Sequence, residues 1–201
     1  MDHETRFRIV LVAGFVAMVV ITGYHRMRAG ATREPLDRRK EGFFILATLR
    51  PIALFLYVGV FAYMINPAWM TWSSLPLPEW LRWTGAFVFV IGLAFLTWTL
   101  RSLGTNLTDT VVTRKAHTLV TQGPYRWVRH PFYDAMALFI LAMALLAANW
   151  FMLISGAVVF ILLGIRSATE EAHLSERFGE PYQTYRDNTG RFFPKLRSTT
   201  R

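Results

Sequence analysis

The stretch Ala135–Ile165, AMALFILAMALLAANWFMLISGAVVFILLGI, runs for 31 residues without a charge. A buried helix of a water-soluble protein does not need such a run, and the reading it forces is an integral membrane protein. Extended back to Phe132 the block is 34 residues long, about 50 Å as one straight helix. A hydrocarbon core is ~30 Å thick, so the block is too long for a single crossing. It reads as two short helices folded back on each other near Ala148-Asn149-Trp150.

Working outward, three more apolar segments are long enough to cross: Ile9–Tyr24, Phe43–Ile65 (interrupted by Arg50-Pro51) and Trp83–Leu100. The expected fold is all-α, a polytopic membrane bundle of five helices whose last two form a hairpin. Charged residues make up 17% of the chain and hydrophobic ones 53%, against about 25% charged in soluble domains, which excludes disorder. There is no cysteine, so disulfides, thiolate metal sites and a cysteine nucleophile are impossible. The five histidines show neither H-x-x-x-H nor H-E-x-x-H spacing, so no metal site is expected.

The formal charge of +9 invites a nucleic-acid reading until the charges are placed. Of the 22 Lys and Arg, 18 fall in three segments, Arg26–Lys40, Arg101–Arg129 and Arg166–Arg201, whereas Asn66–Leu81 and the hairpin tip hold none. By the positive-inside rule those three segments are cytoplasmic, the amino terminus lies outside and the carboxyl terminus inside. Trp69, Trp72, Trp80 and Trp150 then mark the outer interface. The charge is a statement about topology, and no nucleic-acid partner is expected. The first span reads as a retained helix: Asp2–Arg8 has little net charge, no A-x-A site follows, and the six positive charges behind it resist translocation.

Polar chemistry is concentrated on the cytoplasmic side. Arg166 and Glu170 share a helix face one turn apart. They are either a surface ion pair worth a few tenths of a kcal/mol, or an arrangement in which Arg166 holds a substrate anion and Glu170 accepts hydrogen bonds from a ligand. The spacing alone favours the surface pair. The run His117-Thr118-Leu119-Val120-Thr121-Gln122-Gly123-Pro124-Tyr125-Arg126-Trp127-Val128-Arg129-His130-Pro131-Phe132-Tyr133 ends where the fourth span begins. Pro131 suits the first turn of a helix. The free N–H groups of that turn, beside Phe132, Tyr133 and Asp134, could receive a carboxylate or phosphate. The competing reading is an interfacial loop that binds lipid head groups through Arg126 and Arg129. Arg50 lies within snorkelling distance of the cytoplasmic face, and Asp134 opens the fourth span.

These two blocks, His117–Tyr133 and then Arg166, Glu170-Glu171, Leu174, Phe178-Gly179, Tyr182, Tyr185 and Phe193-Pro194, resemble the isoprenylcysteine carboxyl methyltransferase family of membrane enzymes. The family patterns H-T-L-V-x-x-G-x-Y-x-W-x-R-H-P-x-Y and E-E-x-x-L-x-x-x-F-G-x-x-Y-x-x-Y both occur in order, separated by a helical hairpin. The resemblance covers roughly Ser102–Leu196; the first three spans share only general character. It implies S-adenosylmethionine as methyl donor, leaving as S-adenosylhomocysteine, in a cytoplasmic pocket covered by a helical tail. It further implies cofactor contacts from His117, Thr118, Leu119, Val120, Tyr125, His130, Pro131, Phe132, Tyr133 and Glu170, with Arg166 facing the carboxylate to be methylated. Ala135 departs from the family's usual glycine and would narrow a close approach there.

The expected organisation is a three-span membrane region, 1–101, followed by a donor-binding methyltransferase region, 102–201. The expected acceptor is a prenylcysteine-like or other lipophilic carboxylate, with membrane lipids as surroundings. A carboxylate is already ionised at pH 7 and needs no general base, in keeping with the absence of a base or nucleophile motif. Rival readings are a methyltransferase acting on a phospholipid amine or small thiol, an NADPH-dependent sterol-reductase-like enzyme sharing R-H-P-x-Y, and a non-catalytic lipid-binding scaffold. Five spans and the H-T-L-V stretch favour the methyltransferase over the reductase.

Because the chain lacks cysteine, its topology can be tested with single introduced thiols. Lys40→Cys should react with an impermeant maleimide only when the cytoplasmic face is opened, and Ser74→Cys should react from outside. The reverse pattern would overturn the orientation.

Overall fold

The computed structural model describes residues 3–30, 43–106 and 118–195. Six α-helices account for most of them: α1 (His3–Gly30), α2 (Phe43–Ile65), α3 (Glu79–Leu103), α4 (Pro131–Leu146), α5 (Trp150–Phe178) and α6 (Glu180–Asn188). Short 3-10 turns occupy Pro67–Ser73, Gly104–Asn106 and Gly123–Arg126. Four helices are long and apolar enough to cross a membrane, and α4 is a shorter apolar helix. The all-helical, multi-pass arrangement expected from the uncharged block is therefore present. Pro51 sits inside α2 without ending it.

The hairpin turns at Ala147–Asn149, all three residues buried. At 16 residues, α4 is about 24 Å long, so its turn lies short of a full crossing. Backbone groups at that depth need partners within the protein. Asn149 supplies several: its Oδ1 accepts from the Met152 amide at 3.1 Å, and its Nδ2 donates to Ser73 Oγ at 2.7 Å. The Pro67–Ser73 turn thereby covers the tip. Arg82 closes the end of α4, donating from Nε and Nη2 to the Leu146 carbonyl at 3.0 and 2.7 Å. The same guanidinium holds Glu4 at 2.8 and 3.0 Å, and the Tyr63 hydroxyl donates to Glu4 at 2.6 Å. One polar cluster thus ties α1, α2, α3 and α4 together at the end opposite the basic loops.

Small residues let the helices approach. A Cβ at Gly85 would lie 2.8 Å from Leu145 Cβ and 3.0 Å from the Ala142 carbonyl oxygen, so α3 and α4 meet backbone to backbone. Gly156 of α5 accommodates Ile140 of α4 in the same way. Helix α2 packs along α5 but meets α1 only sparsely, which leaves space between α2 and the rest of the bundle.

Helix α5 runs past Arg166, as the shared face of Arg166 and Glu170 requires, and continues unbroken to Phe178, because Ser167–Arg177 carries no breaker before Gly179, whose φ of 59° ends it. The segment after α6 returns to the loop ahead of α4. Arg129 N donates to Gly190 O at 2.9 Å, His130 N to Arg191 O at 3.1 Å, and Gly190 N to Trp127 O at 3.1 Å.

Candidate functional site

A cavity of 530 Å³ opens where α1, α2, α4, α5 and α6 converge, within the size range of ligand sites. Its lining follows stripes at helical spacing. Helix α4 gives Tyr133, Met136, Ile140 and Met143; α5 gives Glu170, Arg166, Leu163 and Val159; α2 gives Arg50, Ala53 and Leu56. On α4 and α5 each stripe runs from polar residues near the basic loops to apolar ones deeper in the bundle. The cavity therefore has a polar end and an apolar limb.

At the polar end, Glu170 is the central acceptor. The Tyr133 hydroxyl donates to its Oε1 at 2.6 Å, and His130 Nδ1 lies 3.5 Å from its Oε2. Arg166 Nε stands 3.3 Å from Glu170 Oε1. That is close enough for charge attraction, but the pair is not aligned as a hydrogen bond, and the buried Nε has no partner. The Arg166–Glu170 pair is thus a cavity feature and not a surface ion pair. The hydroxyl of Tyr182 is likewise buried without a partner, on a residue that is 1% exposed and lines the cavity. Burial and the nearby Glu171 raise the Tyr182 phenol above its ordinary range, so it stays protonated and able to donate.

Glu171, one residue on, faces away from the cavity and serves as a fastening. It is 7% exposed and receives Arg129 Nε at 2.9 Å, His130 Nε2 at 3.1 Å and Arg191 Nη2 at 3.2 Å. Arg129 also donates to the carbonyls of Arg186 and Thr189. This hub joins the loop, α5 and the tail. Tyr185 adds a hydrogen bond to the Tyr125 carbonyl at 2.7 Å, laying α6 across the polar end.

Of the residues singled out in the sequence, Thr118, Leu119, Val120, Tyr125, His130, Phe132, Tyr133, Arg166 and Glu170 line this cavity. Pro131 does not; it is buried at the first position of α4. His117 lies outside the described residues. Ala135 is 0% exposed in the core and does not line the cavity, so its methyl group is absorbed by helix packing. Sequence reasoning missed Arg191 and Asn106. Asn106 Oδ1 accepts the Thr118 amide at 3.0 Å and positions the start of the loop that leads to Gly123. Its place beside Gly104, at the end of a long helix, was the available signal. Among the described residues no cluster of metal-ligating side chains occurs.

His130 is 7% exposed. Burial opposes its charged form, but hydrogen bonds and attraction from Glu170 and Glu171 outweigh this and raise its pKa above 6.5. Since the folded value exceeds the unfolded one, the stabilisation is complete below a pH of about 6.5 and is lost as pH rises through the raised value. Thermal unfolding in detergent should show a melting temperature that declines over that interval. His130→Gln should lower it at the acidic end and flatten the decline; an unchanged slope would show that other groups set it.

Residues 84–176 match the family model of the isoprenylcysteine carboxyl methyltransferase (ICMT) family. The chain is 31% identical over 118 residues to a protein-S-isoprenylcysteine O-methyltransferase of Homo sapiens, covering 57% of this chain and 42% of that one. It is 38% identical over 73 residues to the Schizosaccharomyces pombe protein of that name, covering 36% and 31%. A cobalt-zinc-cadmium resistance protein CzcN of Cupriavidus metallidurans is 33% identical over 121 residues, covering 57% and 55%. The chain spans about half the length of the curated relatives it matches, or less. In fold it is similar to a eukaryotic intramembrane Ras methyltransferase ICMT, with a TM-score of 0.59, 21% identity, and coverage of 92% of this chain and 67% of that one.

Proposed function

We infer that this chain, whose residues 84–176 match the model of the isoprenylcysteine carboxyl methyltransferase family, is a member of that family and a membrane methyltransferase acting on the carboxylate of a lipophilic, prenylcysteine-like acceptor. The observation that carries this reading is the two-ended cavity, whose polar end is built from both motif blocks and continues into an apolar limb.

The residues at the polar end fit S-adenosylmethionine. The unpartnered Tyr182 hydroxyl offers a donor for its carboxylate or hydroxyls, Glu170 offers an acceptor for its amino or ribose groups, and the unpartnered Arg166 Nε is left for the acceptor. When bound, that group supplies a methyl on a sulfonium, which an ionised carboxylate can accept without a general base. The protein's own tasks are alignment and exclusion of water. Tyr133 holds Glu170 in place at 2.6 Å. Arg166, beside Glu170 at the junction of the two limbs, orients the acceptor carboxylate. The apolar side chains of α2, α4 and α5 take the lipid, and α6 closes the polar end. Residues 102–201 thus hold the donor, and 1–101 shape the lipid side. Because the basic loops flank the polar end, the donor comes from the cytoplasm, with the amino terminus outside.

A phospholipid amine suits the site less well, since the cavity places Arg166 where a cationic acceptor would be repelled. A nicotinamide cofactor is disfavoured by the family match. The test is calorimetric titration of the detergent-solubilised protein with S-adenosylhomocysteine, alongside labelled methyl transfer from S-adenosylmethionine to S-farnesylthiopropionate. Glu170→Gln should weaken binding about tenfold or more. No binding, or binding indifferent to that substitution, would contradict the assignment.

A further inference from the structure

The loop and tail that enclose the polar end also present an outer face, and that face is aromatic. The chain after α6 reverses at Gly190, where any Cβ would collide with the Phe193 carbonyl oxygen. The turn is fixed on both sides. Gly190 N donates to Trp127 O at 3.1 Å, and Gly190 O accepts from Arg129 N at 2.9 Å. Beyond it, Lys195 Nζ donates to the Asp187 carbonyl at 2.8 Å. Phe192 packs onto the bundle, its ring 5.9 Å from that of His130 and 5.6 Å from that of Phe160 on α5. A Cβ at Gly164, one turn beyond Phe160, would lie 3.9 Å from the same ring. Phe193, next in the chain, is 83% exposed.

A lone exposed apolar side chain on a water-facing surface needs no explanation. The level at which Phe193 is held is what sets it apart. Phe160 and Gly164 belong to the charge-free run that ends at Ile165. Phe160 stands six residues short of Arg166, about 9 Å along the helix. The turn therefore leans on the membrane-facing stretch of α5, where Ile161 and Ile165 are also exposed. Two tryptophans mark the same level. Trp127, whose carbonyl holds Gly190, and Trp98, near the end of α3, are both exposed, with ring centroids 5.6 Å apart. Exposed tryptophans at the ends of spans mark a membrane–water interface.

We propose that the turn Gly190–Phe193 is a lipid-binding anchor: Phe193 enters the leaflet on the side of the basic loops, and the bilayer thereby helps hold α6 over the polar end of the cavity. The partner is the boundary between headgroups and acyl chains, and the contact is apolar. The path to the site is short. Phe192 touches His130, whose ring stacks on Tyr133 at 5.4 Å, and Tyr133 holds Glu170. Lifting α6 and its turn away would draw Phe193 out of lipid into water, so lipid favours the closed arrangement. The anchor goes beyond the carboxyl-methyltransferase reading; only its effect on donor affinity rests on that reading.

The chain has no cysteine, so single nitroxide labels can report depth in phosphatidylcholine nanodiscs. Collisions with oxygen, which concentrates in lipid, are compared with collisions with a water-soluble nickel chelate. Ile161→Cys, on the exposed face of α5, supplies the lipid reference, and Asp187→Cys, on the exposed side of α6, the aqueous one. Phe193→Cys should favour oxygen as Ile161→Cys does. A label at Phe193→Cys that behaves like the one at Asp187→Cys overturns the proposal.

The effect on closure is read as affinity for S-adenosylhomocysteine in the same nanodiscs. Phe193→Ser should weaken binding about threefold to tenfold. Phe193→Leu should retain most of it, which a loss of fold would not. Affinity indifferent to Phe193→Ser overturns the link to closure. If the label at Phe193→Cys reads as lipid but the unsubstituted protein binds no S-adenosylhomocysteine, the anchor stands and the methyl-donor reading falls.

Discussion

The carboxylate of Glu171 holds the functional end of this molecule together. Arg129 and His130 come from the loop before α4, and Arg191 from the segment after α6. An ion cluster so little exposed is stabilising only while its partners are all present. Backbone bonds from Arg129 and His130 to Gly190 and Arg191 reinforce it. Without this fastening α6 has little reason to lie across the cavity, since the helix is nine residues long and mostly polar. The hub also aims His130, whose ring stacks on Tyr133 at 5.4 Å, and Tyr133 in turn holds Glu170.

The opposite end of the bundle is fixed by similar means. Arg82, Glu4, Tyr63 and the Leu146 carbonyl form a compact polar knot where four helices converge. Between the two ends the helices are held by close packing at Gly85 and Gly156 and by the aromatic pair Phe89–Phe139, 5.0 Å apart. Helix α2 takes less part in this packing, leaning mainly on α5. That asymmetry makes room for an apolar limb in a bundle otherwise closely packed.

Much of this was legible in the sequence. The uncharged run beyond Asp134 gave the hairpin, because length alone forbids one span, and Ala148-Asn149 marked its turn. The helix start at Pro131 followed from proline's tolerance of the first turn. Of the eleven residues the resemblance implied as contacts, nine line one cavity. Other features were hidden because they depend on partners distant in the chain. Nothing local distinguishes Glu171 from Glu170, yet one faces the cavity and the other the tail. Arg82 looks like an ordinary interfacial arginine until Leu146 and Glu4 are seen beside it. Spacing made Arg166–Glu170 look like a surface pair, because spacing carries no information on burial.

The account's central claim is that the loop, the end of α5 and the tail, far apart in sequence, form one polar ligand compartment. Amide hydrogen exchange on the detergent-solubilised protein, with and without S-adenosylhomocysteine, addresses this most directly. The account predicts that ligand slows exchange concurrently in 118–130 and 179–191, with no change in the Pro67–Ser73 turn at the opposite end. Protection confined to one of those two segments, or appearing at the opposite end, would contradict it.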